Sequence, residues 1–162
     1  MTTSVRVLRA WSDGGKAAGC AMTPEAWLLL AYVVMRPGQP HPLEQLAAWI
    51  WPGLEPDAAR TALQAAVTTC QHQVGSALQV HGDALIVERA AALSVDAWEF
   101  DQLLGECEAH LHRELTRCLP CLERMRRALA LFDDEPLAGL PAIVAPELLD
   151  WLRHWREATS AG

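Results

Sequence analysis

The apolar positions change period along the chain. The run AWLLLAYVVM (26–35) is apolar without a break, too short at ten residues for the roughly 20 a membrane span needs, and it predicts a core helix. Thr23 is placed to cap it, Pro24 suits the first helical position and Glu25 complements the positive end of its dipole, while RPGQP (36–40) stops it. Leu43, Leu46, Trp49 and Ile50 then mark a short second helix closed by Pro52 and Gly53. Leu63, Val67, Cys70 and Val74 repeat at 4-3-4 spacing in AARTALQAAVTTCQHQVG (58–75), predicting a third helix with Asp57 as cap and Gly75 as its end.

Beyond Gly75 the period shortens. ALQVHGDALIVER (77–89) reads as a hairpin turning at His81, Gly82 and Asp83. SVRVLRAW (4–11), followed by the turn SDGG, predicts a short strand or hairpin near the start. From Ala90 onward the pattern is helical alone: Trp98, Phe100, Leu103, Leu104 and Cys107 in one stretch, Leu122, Met125, Leu129 and Phe132 in the next, and Leu148, Trp151, Leu152 and Trp155 in the last, with DDEPLAGLPA (133–142) as a turn-rich connector. A strand, three helices and a hairpin are the order of a winged helix-turn-helix, whose third helix enters the DNA major groove. The expected fold is mainly α with a small β component, a winged helix over residues 1–90 followed by a helical segment over 91–162.

Charge changes this picture more than composition does. Thirteen basic residues against twenty acidic ones leave a net charge of -7, which argues against general binding to nucleic acid or to a membrane surface, although local patches remain open. Five cysteines, an odd number, and no apolar stretch after Arg6 and Arg9 predict reduced thiols in a cytoplasmic protein. Neither a glycine-rich phosphate loop nor a nucleophile elbow, an H-E-x-x-H or a paired-carboxylate arrangement is present, so no catalytic residue, cofactor or enzymatic activity is expected. Asp133, Asp134 and Glu135 read as a solvated turn.

LLLAYVVMRPGQPHPLEQLAAWIWP, AARTALQAAV, VHGDALIV, VDAWEFDQLL and ALALFDDEPLAGL together resemble the bacterial regulators that join an OmpR-type winged helix to a bacterial transcriptional activator domain, as in the Streptomyces antibiotic regulatory proteins. The resemblance runs over nearly the whole chain and implies a DNA-binding transcription regulator, with a short tetratricopeptide-like helical part. Thr69, Gln71 and His72 stand where that family usually carries Arg or Lys, and Arg60 is the matched basic residue. The expected DNA contacts are Arg60, Thr61, Gln64, Thr68, Gln71 and His72 on the third helix, with His81 and Arg89 on the wing and His41 in the turn before the second helix. Gln to adenine is a favoured major-groove pair, but polar side chains also simply solvate an exposed face. With so few cations, affinity would come from two copies on repeated half-sites. The other reading is a degenerate winged helix that has lost DNA and serves as a protein interaction module.

The family's helical part normally continues into further helical pairs, of which about three helices are expected here. Leu148, Trp151, Leu152 and Trp155 would then form an interface for a second copy or another protein, unless the last helix folds back on the winged helix. Trp27, Trp49, Trp51 and Trp98 read as packing residues. CEAHLHRELTRCLPC gathers Cys107, His110, His112, Cys118 and Cys121. No metal is favoured there, because single cysteines on amphipathic helices are mostly small core residues; the alternative is a tetrahedral zinc held by Cys107, His110, Cys118 and Cys121. The C-x2-C resembles a thioredoxin-like redox pair but lacks the βαβ setting that reading requires.

Overall fold

The computed structural model describes residues 2–8, 22–90, 92–111, 114–132 and 144–160. The fold is mainly helical with a small β component, and its elements are β1 (Thr3–Val5), α1 (Pro24–Val34), β2 (His41–Pro42), α2 (Leu43–Ile50), α3 (Pro56–Val74), β3 (Leu78–His81), β4 (Ala84–Val87), β5 (Leu93–Val95), α4 (Asp96–Ala109), α5 (Leu119–Leu129) and α6 (Pro146–Ser160). They form two compact units: residues 11–90 with 139–162, and residues 1–10 with 91–138. The N-terminal strand belongs with the later helices, and the last helix belongs with the winged helix.

In the winged-helix unit α1 is the central rod. Thr23 accepts the Ala26 amide at 3.2 Å to start it, and every residue from Ala26 to Val34 is buried. α2 and α3 pack on it with one face each: Leu46, Ala47 and Ile50 from α2, and Ala59, Leu63, Ala66, Val67, Cys70 and Val74 from α3. The Cys70 thiol donates to the Ala26 carbonyl at 3.3 Å, tying α3 to α1 at their crossing. α3 begins two residues earlier than expected, because Pro56 fixes a helical φ at the first position and Glu55, not Asp57, occupies the cap, without a side-chain hydrogen bond. Gly75, at φ +61, ends it with a backbone conformation that other residues rarely adopt.

The wing is a three-stranded antiparallel sheet in the order β2-β4-β3, with His41 opposite Leu85, Leu78 opposite Val87 and His81 opposite Ala84. Gly82, at φ +62, makes its two-residue turn with Asp83. Leu78, Leu85 and Val87 point into the core.

The last helix folds back on the winged helix, the alternative to an open interface stripe. Leu148 on α6 is only 2 % exposed, Trp151 sets its ring edge-on against Tyr32 at 4.9 Å, and the Ala145 amide donates to the Trp49 carbonyl at 2.7 Å. Leu152 and Trp155 are half-buried. Tyr32 is the hub that draws α6 in, since its ring also meets His41 at 5.2 Å, Trp49 at 5.9 Å and the Arg36 guanidinium at 4.7 Å.

The other unit starts from β1, which pairs in parallel with β5, Thr3 opposite Leu93 and Val5 opposite Val95. β5 corrects the expectation of helix alone beyond Ala90: three residues are too few to show a period. Asp96, at the start of α4, is buried and its carboxylate accepts the amides of Val7 at 2.8 Å, Leu8 at 3.0 Å and Ala97 at 2.8 Å. α4 buries Ala97, Trp98, Leu103 and Cys107, whereas α5 buries Cys121 and Ala128. The stripe expected on α5 is thus rotated by one residue, leaving Leu122 38 % and Leu129 64 % exposed, because the small Cys121 and Ala128 let the two helices approach closely. Phe100 and Phe132 meet edge-on at 5.1 Å, and Arg124–Glu106 and Arg127–Glu99 ion pairs join the two helices. SDGG, His112, the Asp133–Glu135 run and the connector after it lie outside the described residues.

Candidate nucleic-acid interface

Because α3 buries Ala59, Leu63, Ala66, Val67, Cys70 and Val74, helical geometry turns Arg60, Thr61, Gln64, Thr68, Gln71 and His72 outward, and all six are exposed. Their chemistry is narrower than residue type suggests. Thr61 donates its hydroxyl to the Asp57 carbonyl at 2.9 Å, Thr68 to Gln64 at 2.9 Å and Thr69 to Ala65 at 3.0 Å. With its proton committed to the preceding turn, each threonine offers a lone pair and a methyl group, not a donor.

The Gln71 amide leans back 3.4 Å from the Leu78 carbonyl at the start of the wing. Gln64 differs, since among the described residues its side-chain amide has no partner. It keeps both a donor and an acceptor for a bidentate contact. On the wing, His81 Nε2 lies 2.7 Å from Gln79 Oε1, and Gln79 itself donates to the Ser76 carbonyl at 3.0 Å, so His81 is oriented across the strand. Arg89 is exposed at the far end of β4.

The electrostatics of this surface are divided. Arg60 stands 3.8 Å from Asp57, both side chains mostly exposed, and Glu55 lies two residues before Asp57 at the N-terminus of α3. A helix N-terminus attracts anions, but here carboxylates already sit on it. The wing tip carries Asp83 and the end of β4 carries Glu88, both exposed.

His41 leaves the proposed contact set. It is 3 % exposed, packed under the Tyr32 ring, and its Nε2 has no hydrogen-bond partner among the described residues. Burial holds its pKa below the ordinary imidazole value, the Arg36 charge adds to that, and a hydrogen bond with the Arg36 backbone opposes it. The turn looked exposed in sequence because its neighbours are Pro, Gly and Gln. The ring that covers His41 comes from α1.

Three of the four candidate zinc ligands come together in the other unit: the donor atoms of His110, Cys118 and Cys121 lie within 4.8 Å of one another, while Cys107 lies outside that group with its thiol donating to the Cys121 carbonyl at 3.6 Å. Sequence reasoning missed Asp96, which opens α4 and anchors the Val7 and Leu8 amides; its faint signal is a lone Asp at the start of an amphipathic run.

No family model matches this chain, and no curated protein matches it. Among solved structures it is similar to Mycobacterium tuberculosis EmbR, determined in complex with a low-affinity phosphopeptide, with a TM-score of 0.61 at 15% identity over 86% of this chain. The chain spans about a third of that protein, 36% of its length. At this identity the likeness is one of fold. It supports a mainly helical fold with a small sheet component. No helix among the described residues is long and apolar enough to cross a membrane.

Proposed function

We propose that the chain is a transcription regulator that reads DNA with α3 in the major groove and acts as a pair of copies on repeated half-sites. The observation that carries this reading is the outward face of α3, where the uncommitted Gln64 amide stands between the methyl and lone-pair surfaces of Thr61 and Thr68. Such a face suits an A·T step, the amide for adenine and the methyl groups against the thymine methyl. The fold shared with EmbR and the resemblance of the sequence to activator-domain regulators both support it.

Arg60 and Arg89 are the cations this surface brings to phosphate. Neutralising two phosphates per chain, four for the pair, gives a slope of log affinity on log salt of about -3.6, shallow beside readers that make many more phosphate contacts. Fluorescence polarisation with genomic fragments across a salt series tests this. Binding at low salt with that slope is expected, and the Gln64→Ala variant should lose about tenfold on sites selected by the wild type. No binding at low salt ends the reading.

Glu55 and Asp57 on the N-terminus of α3 favour a second reading, in which the winged helix has lost DNA and presents this face to a protein. The two part on one variant pair. Glu55→Gln with Asp57→Asn frees Arg60 and tightens DNA binding if DNA is the ligand, and creates no DNA affinity if a protein is.

A further inference from the structure

We propose that α4 and α5 hold a single thiophilic divalent metal ion, of the zinc class, in a tetrahedral site made by Cys107, His110, Cys118 and Cys121. The proposal starts from where the helices end. α4 stops at Ala109, and His110 follows in extended backbone, its amide still bonded to the Cys107 carbonyl at 3.3 Å. Cys118 is the extended residue that opens α5, and Cys121 lies in that helix's first turn. A C-x2-H pair leaving one helix thus meets a C-x2-C pair entering the next. The helix ends supply the backbone freedom that a pair of ligands within a regular helix lacks.

The distances fit a metal better than they fit a packed core. His110 Nδ1 lies 3.1 Å from Cys121 Sγ and 3.3 Å from Cys118 Sγ. Cys107 stands beside this group but outside it, its thiol donating to the Cys121 carbonyl at 3.6 Å. Around a tetrahedral zinc with ordinary bond lengths, the nitrogen-to-sulfur edge is about 3.5 Å, so His110, Cys118 and Cys121 need only small adjustments, while Cys107 must turn its thiol from that carbonyl to supply the fourth ligand. Cys70 is the contrast within the same chain: equally buried, it makes one bond to a carbonyl. His110 and Cys118 are not core residues at all, being exposed and half-exposed. Hydrophobic packing does not explain why an imidazole and a surface thiol turn toward the buried Cys121 thiol.

The surroundings suit the charge such a site would carry. Three thiolates and a neutral imidazole around a divalent ion sum to -1, the thiol protons passing to solvent on binding. Arg124, three residues after Cys121 on α5 and so nearly one helical turn along from it, is half-buried. Its Nε donates to Glu106 at 2.9 Å, while its Nη1 is buried without a hydrogen-bond partner among the described residues. A buried guanidinium N–H one helical turn from a ligand is the kind of outer donor that orients and neutralises metal-bound thiolates.

The test uses the full chain, purified with its thiols reduced and titrated with Zn2+ alone and with Co2+ as spectroscopic probe. One ion per chain is expected, with thiolate-to-cobalt charge transfer and the intense visible bands of tetrahedral Co2+. Cys118→Ser and His110→Ala, at positions outside the core, should keep native helicity and weaken binding by more than about 100-fold, since losing only an outer partner already costs 10–100-fold. Cys70→Ala should leave stoichiometry and spectrum unchanged. A natively helical chain without the charge-transfer band overturns the proposal. So does binding that survives both ligand variants, or a chain isolated from cells lacking two hydrogens because Cys118 and Cys121 are joined as a disulfide.

Discussion

The two units reach stability by different chemistry. Around α1 the winged-helix unit is hydrocarbon: Leu28, Leu29, Leu30, Val33, Leu46, Leu63, Leu78 and Leu85 are all at most 2 % exposed, and the thiol among them, Cys70, serves as one more small apolar group. The α4–α5 unit buries less of that kind. It relies on directional groups, namely the Asp96 carboxylate with its three amides, the His110–Cys118–Cys121 corner and two ion pairs. Area stabilises without regard to orientation, whereas a carboxylate or thiol stabilises only while its partners and protonation are right. The first unit should therefore respond to volume changes and the second to changes of single atoms.

The sharpest way to break that contrast is to cut a methylene cluster from the first unit. Leu29→Ala removes a fully buried side chain from the centre of α1 and should cost about 4 kcal/mol, read as a fall in the urea midpoint of the winged-helix amides. A loss under about 1 kcal/mol would mean that α1 is loosely packed. Asp96→Ala is the counterpart. It leaves the Val7, Leu8 and Ala97 amides without their acceptor and should cost about 3 kcal/mol, with hydrogen exchange accelerating at those amides while α1 keeps its protection. Asp96→Asn, which keeps one acceptor oxygen, should restore part of it.

How much of this the sequence shows depends on the kind of chemistry. α1 and α3 are legible, because an unbroken apolar run and a 4-3-4 repeat reflect burial directly, and the exposed face of α3 follows as their complement. The α4–α5 unit is much less so. The β1–β5 pair has three residues a strand, and each strand's partner lies on the far side of the winged helix in sequence. On α5 the stripe through Leu122 and Leu129 and the stripe through Cys121 and Ala128 have the same seven-residue repeat, and only the close approach of α4 chooses the second. At the candidate DNA face the positions are legible but their hydrogen bonds are not, since whether Thr61 and Thr68 turn back on their own helix is a rotamer choice.

Acidity and alkalinity give a milder test, confined to the winged-helix unit. His41 has its pKa lowered, so the folded state favours the neutral ring; the stability this contributes is present above the ordinary value of 6.5 and is lost as pH falls through the lowered one. Melting temperature should drop between pH 7 and 5, and His41→Gln should flatten the drop. Cys70 runs the other way, with burial pushing its thiol up to about 12. Its contribution is complete below the ordinary 9.0 and declines as pH rises toward 12, so Cys70→Ala should be less sensitive to alkali than the wild type. Equal slopes in wild type and variants would place the titrating groups elsewhere.

The smallest expected effect separates the anchors of the α4–α5 unit from its decoration. Arg127 and Glu99 pair at 3.2 Å, but their side chains are 59% and 43% exposed, so water and salt screen most of the attraction. Arg127→Ala should cost no more than about 0.5 kcal/mol and the cost should vanish in high salt. Arg124→Ala should cost more, because that side chain is only 30% exposed and its removal leaves Glu106 without its 2.9 Å partner. A loss at Arg127 as large as that at Arg124 would show that exposed ion pairs, not the carboxylate and thiol anchors, hold α4 and α5 together, and the contrast between the two units would then reduce to one of surface charge.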